Sequence, residues 1–268
     1  MKKDVFLYLI LLVVVFGLLL FTSLCVAQTY VCPKETSHKV ERIQERIHNA
    51  FVESMQNGAI DNIDVISKEL ELYPQNNIII YWRAYVKFYR AIFYMQYNNS
   101  KKMKIETDDG IEMLQELNNK DCEIYALLSR LQGISMQYSG MKAMLVFKQM
   151  NDNSKKALEL CPNNLRANLV AASNDFYTPS QFGGGKKAEE LLLKAISLPD
   201  QEEKNVFLPS WGKEEAYELI IRLYISREEF DKAVDFYRKA IELFPNNYMI
   251  NQLKQNLKLN NKVDLNIN

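Results

Sequence analysis

The sequence predicts an all-α protein, a solenoid of about five helical hairpins closed by a C-terminal capping helix. Three observations predict it. Apolar residues recur at helical spacing along most of the chain, alanine pairs sit seven residues apart in several segments, and turn-forming residues are scarce. Nine glycines and seven prolines in 268 residues are too few for the many short turns of an all-β fold. Hydrophobic residues make up 48% of the chain, enough for a continuous core.

The most regular stretch is EEAYELIIRLYISREEFDKAVDFYRKAIELFPNN, Glu214 to Asn247. Tyr217, Ile220, Ile221 and Tyr224 recur at i, i+3, i+4 and i+7, the apolar stripe of a helix. After the charged break SREEF, Ala233, Tyr237 and Ala240 share one face of a second helix. Small side chains let two antiparallel backbones approach, and the tyrosines fill the space between them. Pro245 ends the second helix, because its ring clashes with the preceding turn and it has no N–H to donate.

Related second helices occur upstream. SKKALELCPNN carries Ala157 and Pro162 where the last hairpin has Ala240 and Pro245, and KKAEELLLKAISLP carries Ala188, Leu192 and Ala195. VISKELELYPQNN, with Ile66, Leu70, Leu72 and Pro74, has Asn62 and Glu69 in place of the two alanines. GIEMLQELNNKD has Gly110 in place of the first and no proline. A last helix from about Met249 to Leu259, polar on most of its circumference, suits a solubilising cap.

The residues Tyr217, Ile220, Tyr224, Ala233, Tyr237, Ala240 and Pro245 resemble the tetratricopeptide repeat, a 34-residue helix–turn–helix unit. Ile221 departs from it, standing where the family has a small residue. The resemblance covers most of residues 38–262 and implies a right-handed superhelix. It further implies a protein or peptide partner held in a concave groove.

Residues 1–27 read as a secretory signal or membrane anchor, with Lys2 and Lys3 ahead of an apolar run from Val5 to Phe21. A cleaved signal is favoured over a retained anchor or a lipid-modified Cys25. All three place the body outside the cytoplasm, in the periplasm or at an envelope membrane, with membrane association possible through residues 5–24. Residues 28–37 are expected to be a linker and 263–268 a disordered tail.

Lys+Arg and Asp+Glu each number 33, so no bulk charge points to nucleic acid. The only histidines, His38 and His48, lack metal-ligand spacing, and no nucleophile motif is present. No catalytic residue, metal or cofactor is therefore expected. Cys122 and Cys161 fall near helix ends, where a bridge is conceivable, but unpaired thiols are the expectation.

Candidate binding residues come from YWRAYVKFYRAIFYMQY, Tyr81 to Tyr97. With Trp82 in the first-helix aromatic place, Arg83, Lys87 and Arg90 form a basic stripe toward the groove, joined by Arg130 and Arg222 from later first helices. Such a groove would grip an acidic or carboxyl-terminal segment. A solvated charged face is the plainer reading. The loop TPSQFGGGKKA is read as an enlarged turn with Phe182 tucked back as a plug, and phosphate binding at its glycines as the lesser reading. This loop is similar to that of exported bacterial tetratricopeptide proteins, some of which resemble accessory subunits of periplasmic solute transporters. Solute binding is thus the alternative function. Met136, Met141, Met144 and Met150 are expected in a lengthened helix that fills the core, and Trp211 as a plug before the last hairpin.

Overall fold

The computed structural model describes residues 40–73, 75–199 and 207–260. The expected leader, linker and tail, Cys25, Cys32, His38 and Pro74 lie outside them. Eleven α-helices occur among the described residues: α1 (Ile43–Asn57), α2 (Asp61–Glu71), α3 (Asn77–Gln96), α4 (Ser100–Gln115), α5 (Cys122–Ser135), α6 (Ala143–Leu160), α7 (Leu165–Tyr177), α8 (Ala188–Ser197), α9 (Lys213–Ser226), α10 (Phe230–Leu243) and α11 (Tyr248–Asn260). They pack as five successive hairpins, α1/α2 through α9/α10, each against the next, with α11 closing the stack on α9 and α10. The first helices α1, α3, α5, α7 and α9 also pack in series on one another, and the face they share is here called the inner face.

Alanine sets the hairpin spacing. Ala157, Ala188, Ala195, Ala233 and Ala240 are all fully buried, and Tyr217, Ile220, Tyr224 and Tyr237 pack around the last pair. Ile221 is accommodated with no exposure at all. Gly110 does the same work in the second hairpin: a Cβ there would lie 3.1 Å from Leu131 Cδ1 and 3.2 Å from Lys87 Cβ. In the first hairpin a charge pair replaces the small residue, with Glu69 accepting from Arg46 Nη1 at 3.2 Å. Ile66 and Leu70 are buried there, whereas Leu72 is exposed.

A recurring cap starts the next unit. Asn76, Asp121, Asn164 and Asn247 precede α3, α5, α7 and α11, and each side chain accepts from the backbone N–H three residues on, at 2.8–3.0 Å. The second asparagine of each PNN thus supplies one of the acceptors that a helix amino terminus lacks. Asn168 and Asn251, four residues past two of these caps, both return Nδ2 to the proline carbonyl at 2.9 Å. The two junctions are built alike.

Cys122 and Cys161 form a disulfide, with Cα atoms 5.9 Å apart, against the expectation of unpaired thiols. The reason is local. The bridge joins the first residue of α5 to the residue after α6, the two ends that an antiparallel hairpin brings together.

Three further expectations are corrected. Phe182 is not tucked in but 63% exposed. The glycine loop turns instead on Asp175, whose carboxylate accepts from Lys187 N and Ala188 N at 2.8 and 2.9 Å. That anionic group fills the start of α8, so a phosphate would meet a like charge there. Gly184 passes so close to Thr178 O that a Cβ would lie 1.9 Å from it. Among the methionines, Met150 is buried, but Met141 and Met144 face outward at the tip of the third hairpin. Two short 3₁₀ turns, Met136–Tyr138 and Gly140–Lys142, carry that tip beyond the core.

Candidate functional site

The structure divides the basic stripe expected on α3. The turn after α3 is built as the turn after α9 is. Asn98 and Glu228 both have positive φ, and Asn99 N and Glu229 N donate to Tyr94 O and Tyr224 O at 2.8 and 2.9 Å. Counting back from these matched turns, Lys87 corresponds to Tyr217 and Arg90 to Ile220, which face the hairpin core. Trp82 therefore does not hold the first-helix aromatic place, because α3 is longer, 20 residues against 14 in α9. Lys87 pairs with Glu106 and Asp109, both at 2.9 Å, and Arg90 pairs with Glu106 at 2.7 Å and with Asp64. Arg83 donates to Gln75 at 2.5 Å, near the start of the same helix.

The inner face of α3 is instead aromatic. Tyr81 and Tyr85 are buried, and Tyr85 and Tyr89 hydroxyls lie 3.3 Å apart. Phe51 of α1 packs on Tyr89 at 4.6 Å between ring centroids. Burial, with the nearby Glu215 charge adding to it, raises the Tyr89 hydroxyl to about 12, and burial holds Tyr81 and Tyr85 far above the ordinary phenol range. All three therefore hold their protons more tightly than an exposed tyrosine does.

Arg130 and Arg222 do stand with this face. The Arg130 guanidinium lies 4.4 Å from the Phe88 ring centroid and 4.7 Å from that of Trp211. It pairs with Glu215 at 2.6 Å. Burial alone would lower its pKa, but the Glu215 carboxylate more than offsets this. Arg222 Nε donates to Glu218 at 2.8 Å. Burial raises the Glu218 pKa despite that partner. The exposed Tyr177 ring, at the end of α7, stands within electrostatic reach of both Arg222 and Glu218.

Residues 207–212, between α8 and α9, form a strap across this surface. Trp82 Nε1 donates to Phe207 O at 3.2 Å, and Ser210 N donates to Gln44 Oε1 of α1 at 2.8 Å. Trp211 is buried, as its reading as a plug implies, and its indole N–H donates to Tyr81 Oη at 2.8 Å. Its ring stacks on Tyr85 at 5.9 Å. Arg166 of α7, fully buried, donates from Nη1 to Trp211 O at 3.1 Å and from Nε to both oxygens of Glu123 at 2.9 and 2.7 Å. Asn164 donates to the same carboxylate at 2.5 Å. Sequence reasoning missed Tyr81, Gln44 and Arg166 as partners of the strap, because these contacts span 45 to 166 residues. Only the isolated tryptophan in SWGK hinted at them.

Asp121, the cap of α5, offers a direct test of this junction. Burial, helped by Glu123 and opposed by the Ile124 N–H, lifts its carboxyl to about 6. The ordinary value is about 3.9, so the folded chain binds this proton more tightly than the unfolded chain does. Its stabilising contribution is complete below about pH 4 and is lost as pH climbs through about 6. The other three caps of this kind are asparagines. Asp121→Asn is therefore expected to stabilise by about 1–2 kcal/mol near pH 7.5, a rise of roughly 3–6 °C in Tm, and to change little near pH 4. Equal shifts in melting scans at both pH values would refute this.

Among the described residues, no group of three or more His, Cys, Asp or Glu side chains is placed to hold a metal ion. No protein-family model matches the chain, and no curated protein matches it. Among solved structures, it is similar to a thermophilic TPR protein of Thermus thermophilus, with 17% identity and a TM-score of 0.50. The match covers 80% of this chain and 99% of that one. With its paired helices, shared caps and all-helical stack, the chain has the tetratricopeptide-repeat fold.

Proposed function

We propose that this protein is a non-catalytic scaffold of the bacterial cell envelope that binds a protein or peptide partner on the inner face of its helical array. The observation that carries the reading is the gathering of Tyr89, Arg130, Arg222 and the exposed Tyr177 at the accessible margin of that face, around the buried rings of Tyr85, Phe88 and Trp211. Tyr, Trp and Arg are the side chains most often found at the energetic centres of protein interfaces. Because Arg130 and Arg222 are each paired with a carboxylate, the face offers rings and hydrogen-bond donors more than unneutralised positive charge. A partner segment rich in aromatic and main-chain contacts suits it better than an acidic one.

The disulfide supports placement in an oxidising compartment, in keeping with export. No helix among the described residues is long and apolar enough to cross a membrane.

A crosslinking pull-down from native envelope, with the mature amino terminus sequenced in the same sample, tests the reading. Tyr89→Ala with Arg222→Ala is expected to weaken partner capture by about tenfold or more. Unchanged capture by the folded double variant would remove the partner from the inner face. A rise in melting temperature with a small solute and no captured protein would favour the transporter-accessory alternative.

A further inference from the structure

The connection between α8 and α9 is longer than joining two helices requires. It runs over residues 198–212, whereas 161–164 and 244–247 suffice at the two PNN junctions. Long connections are usually functional sites or linkers, and residues 207–212 of this one are held by the contacts described above. The base of this one is closed on itself, since Lys213 Nζ donates to Ile196 O at 2.7 Å and to Leu198 O. Those bonds tie the end of α8 to the start of α9 independently of the strap's own contacts.

Its contacts are those of a bound peptide. Side chains of the array recognise its main chain: Trp82 and Arg166 donate to the carbonyls of Phe207 and Trp211, and Gln44 accepts from Ser210 N. One aromatic side chain, Trp211, fills the pocket between Tyr85 and the Arg130 guanidinium and is fixed by Tyr81. Main-chain hydrogen bonds for affinity and one anchored ring for specificity are the usual division of labour in peptide recognition.

We propose that residues 207–212 are a resident ligand of the inner face, displaced when a partner presents a segment whose aromatic side chain takes the place of Trp211. This rests on the reading of the inner face as the partner site. The strap is a tethered competitor with an effective concentration in the ~mM range, so it raises the threshold for any partner. It also makes the site selective for segments that reproduce its pattern.

The test uses a fluorescent hexapeptide, FLPSWG, added to the full chain and followed by polarisation. The Trp211→Ala chain is expected to bind it at least about tenfold more tightly than the natural chain, and FLPSAG not at all. Should Trp211→Ala fail to give a native circular dichroism spectrum, Trp211→Phe keeps a smaller ring in the pocket and removes the indole donor. That variant is expected to show an intermediate gain. A folded variant that binds the hexapeptide no better than the natural chain overturns the proposal. Envelope pull-down with the same variants separates the two readings. A partner captured equally by natural and Trp211→Phe chains sinks the strap as a competitor but leaves the scaffold intact.

Discussion

Replacing Arg166 by alanine is expected to cost about 3–5 kcal/mol of folding stability, enough to approach the whole margin of an ordinary domain. Arg166 is fully buried, and its guanidinium is the charged partner of the almost equally buried Glu123. Alanine would take from that carboxylate the guanidinium that meets both its oxygens, in a site with little access to water, and would strip the Trp211 carbonyl of its donor. Much of the cost is the penalty of a buried carboxylate left with poorer compensation rather than the worth of the pair. Replacing both partners with Arg166→Met and Glu123→Leu is accordingly expected to recover a large part of the loss. Urea unfolding of the three chains checks this. A loss below about 1 kcal/mol for Arg166→Ala would show that water reaches the pair.

Removing the Cys122–Cys161 bridge is expected to cost about 4 kcal/mol. The bridge closes a loop with a sequence separation of 39, and in the chain-entropy model such a loop restricts the unfolded ensemble by that amount. Cys122→Ser with Cys161→Ser should lower the urea midpoint, and a reductant should do the same to the natural chain but not to the double variant. The two effects are also coupled. Cys122 directly precedes Glu123, and Cys161 stands three residues before Asn164, so the bridge holds the carboxylate and one of its donors in place. Loss of the bridge and loss of Arg166 should therefore not add. A reductant-insensitive midpoint for the natural chain would mean that the thiols do not hold the junction.

The second helices were legible because their signal is local. Ala233 and Ala240, Ala188 and Ala195, and Ala157 with Pro162 carry the packing distance and the stop within about a dozen residues. The phase of α3 was not. Its extra length rotates which residues face inward, so Lys87 and Arg90 read as a groove stripe when they are the charged filling between α3, α4 and α2. Only the matched turns at Asn98 and Glu228 reveal the offset, and positive φ at those residues is not written in a sequence. Arg130 and Arg222 reach the inner face because their helices lack that offset, but their pairing with Glu215 and Glu218 turns two expected anion hooks into neutralised supports. The exposed Phe182 was read as a plug because the Asp175 cap that organises its loop lies in the preceding helix.

The strap changes what kind of object the array is thermodynamically. A simple stack of hairpins is nearly one-dimensional: each unit feels only its neighbours, and the ends can peel away while the middle stands. Here Ser210, late in the chain, is tied to Gln44 in the first helix, and Trp211 is tied to Tyr81 in the third. Those links raise the contact order and slow folding, since most of the chain must be gathered before they form. In return they join distant units into one cooperative block, so that α1 cannot fray without first giving up the loop that leads into α9.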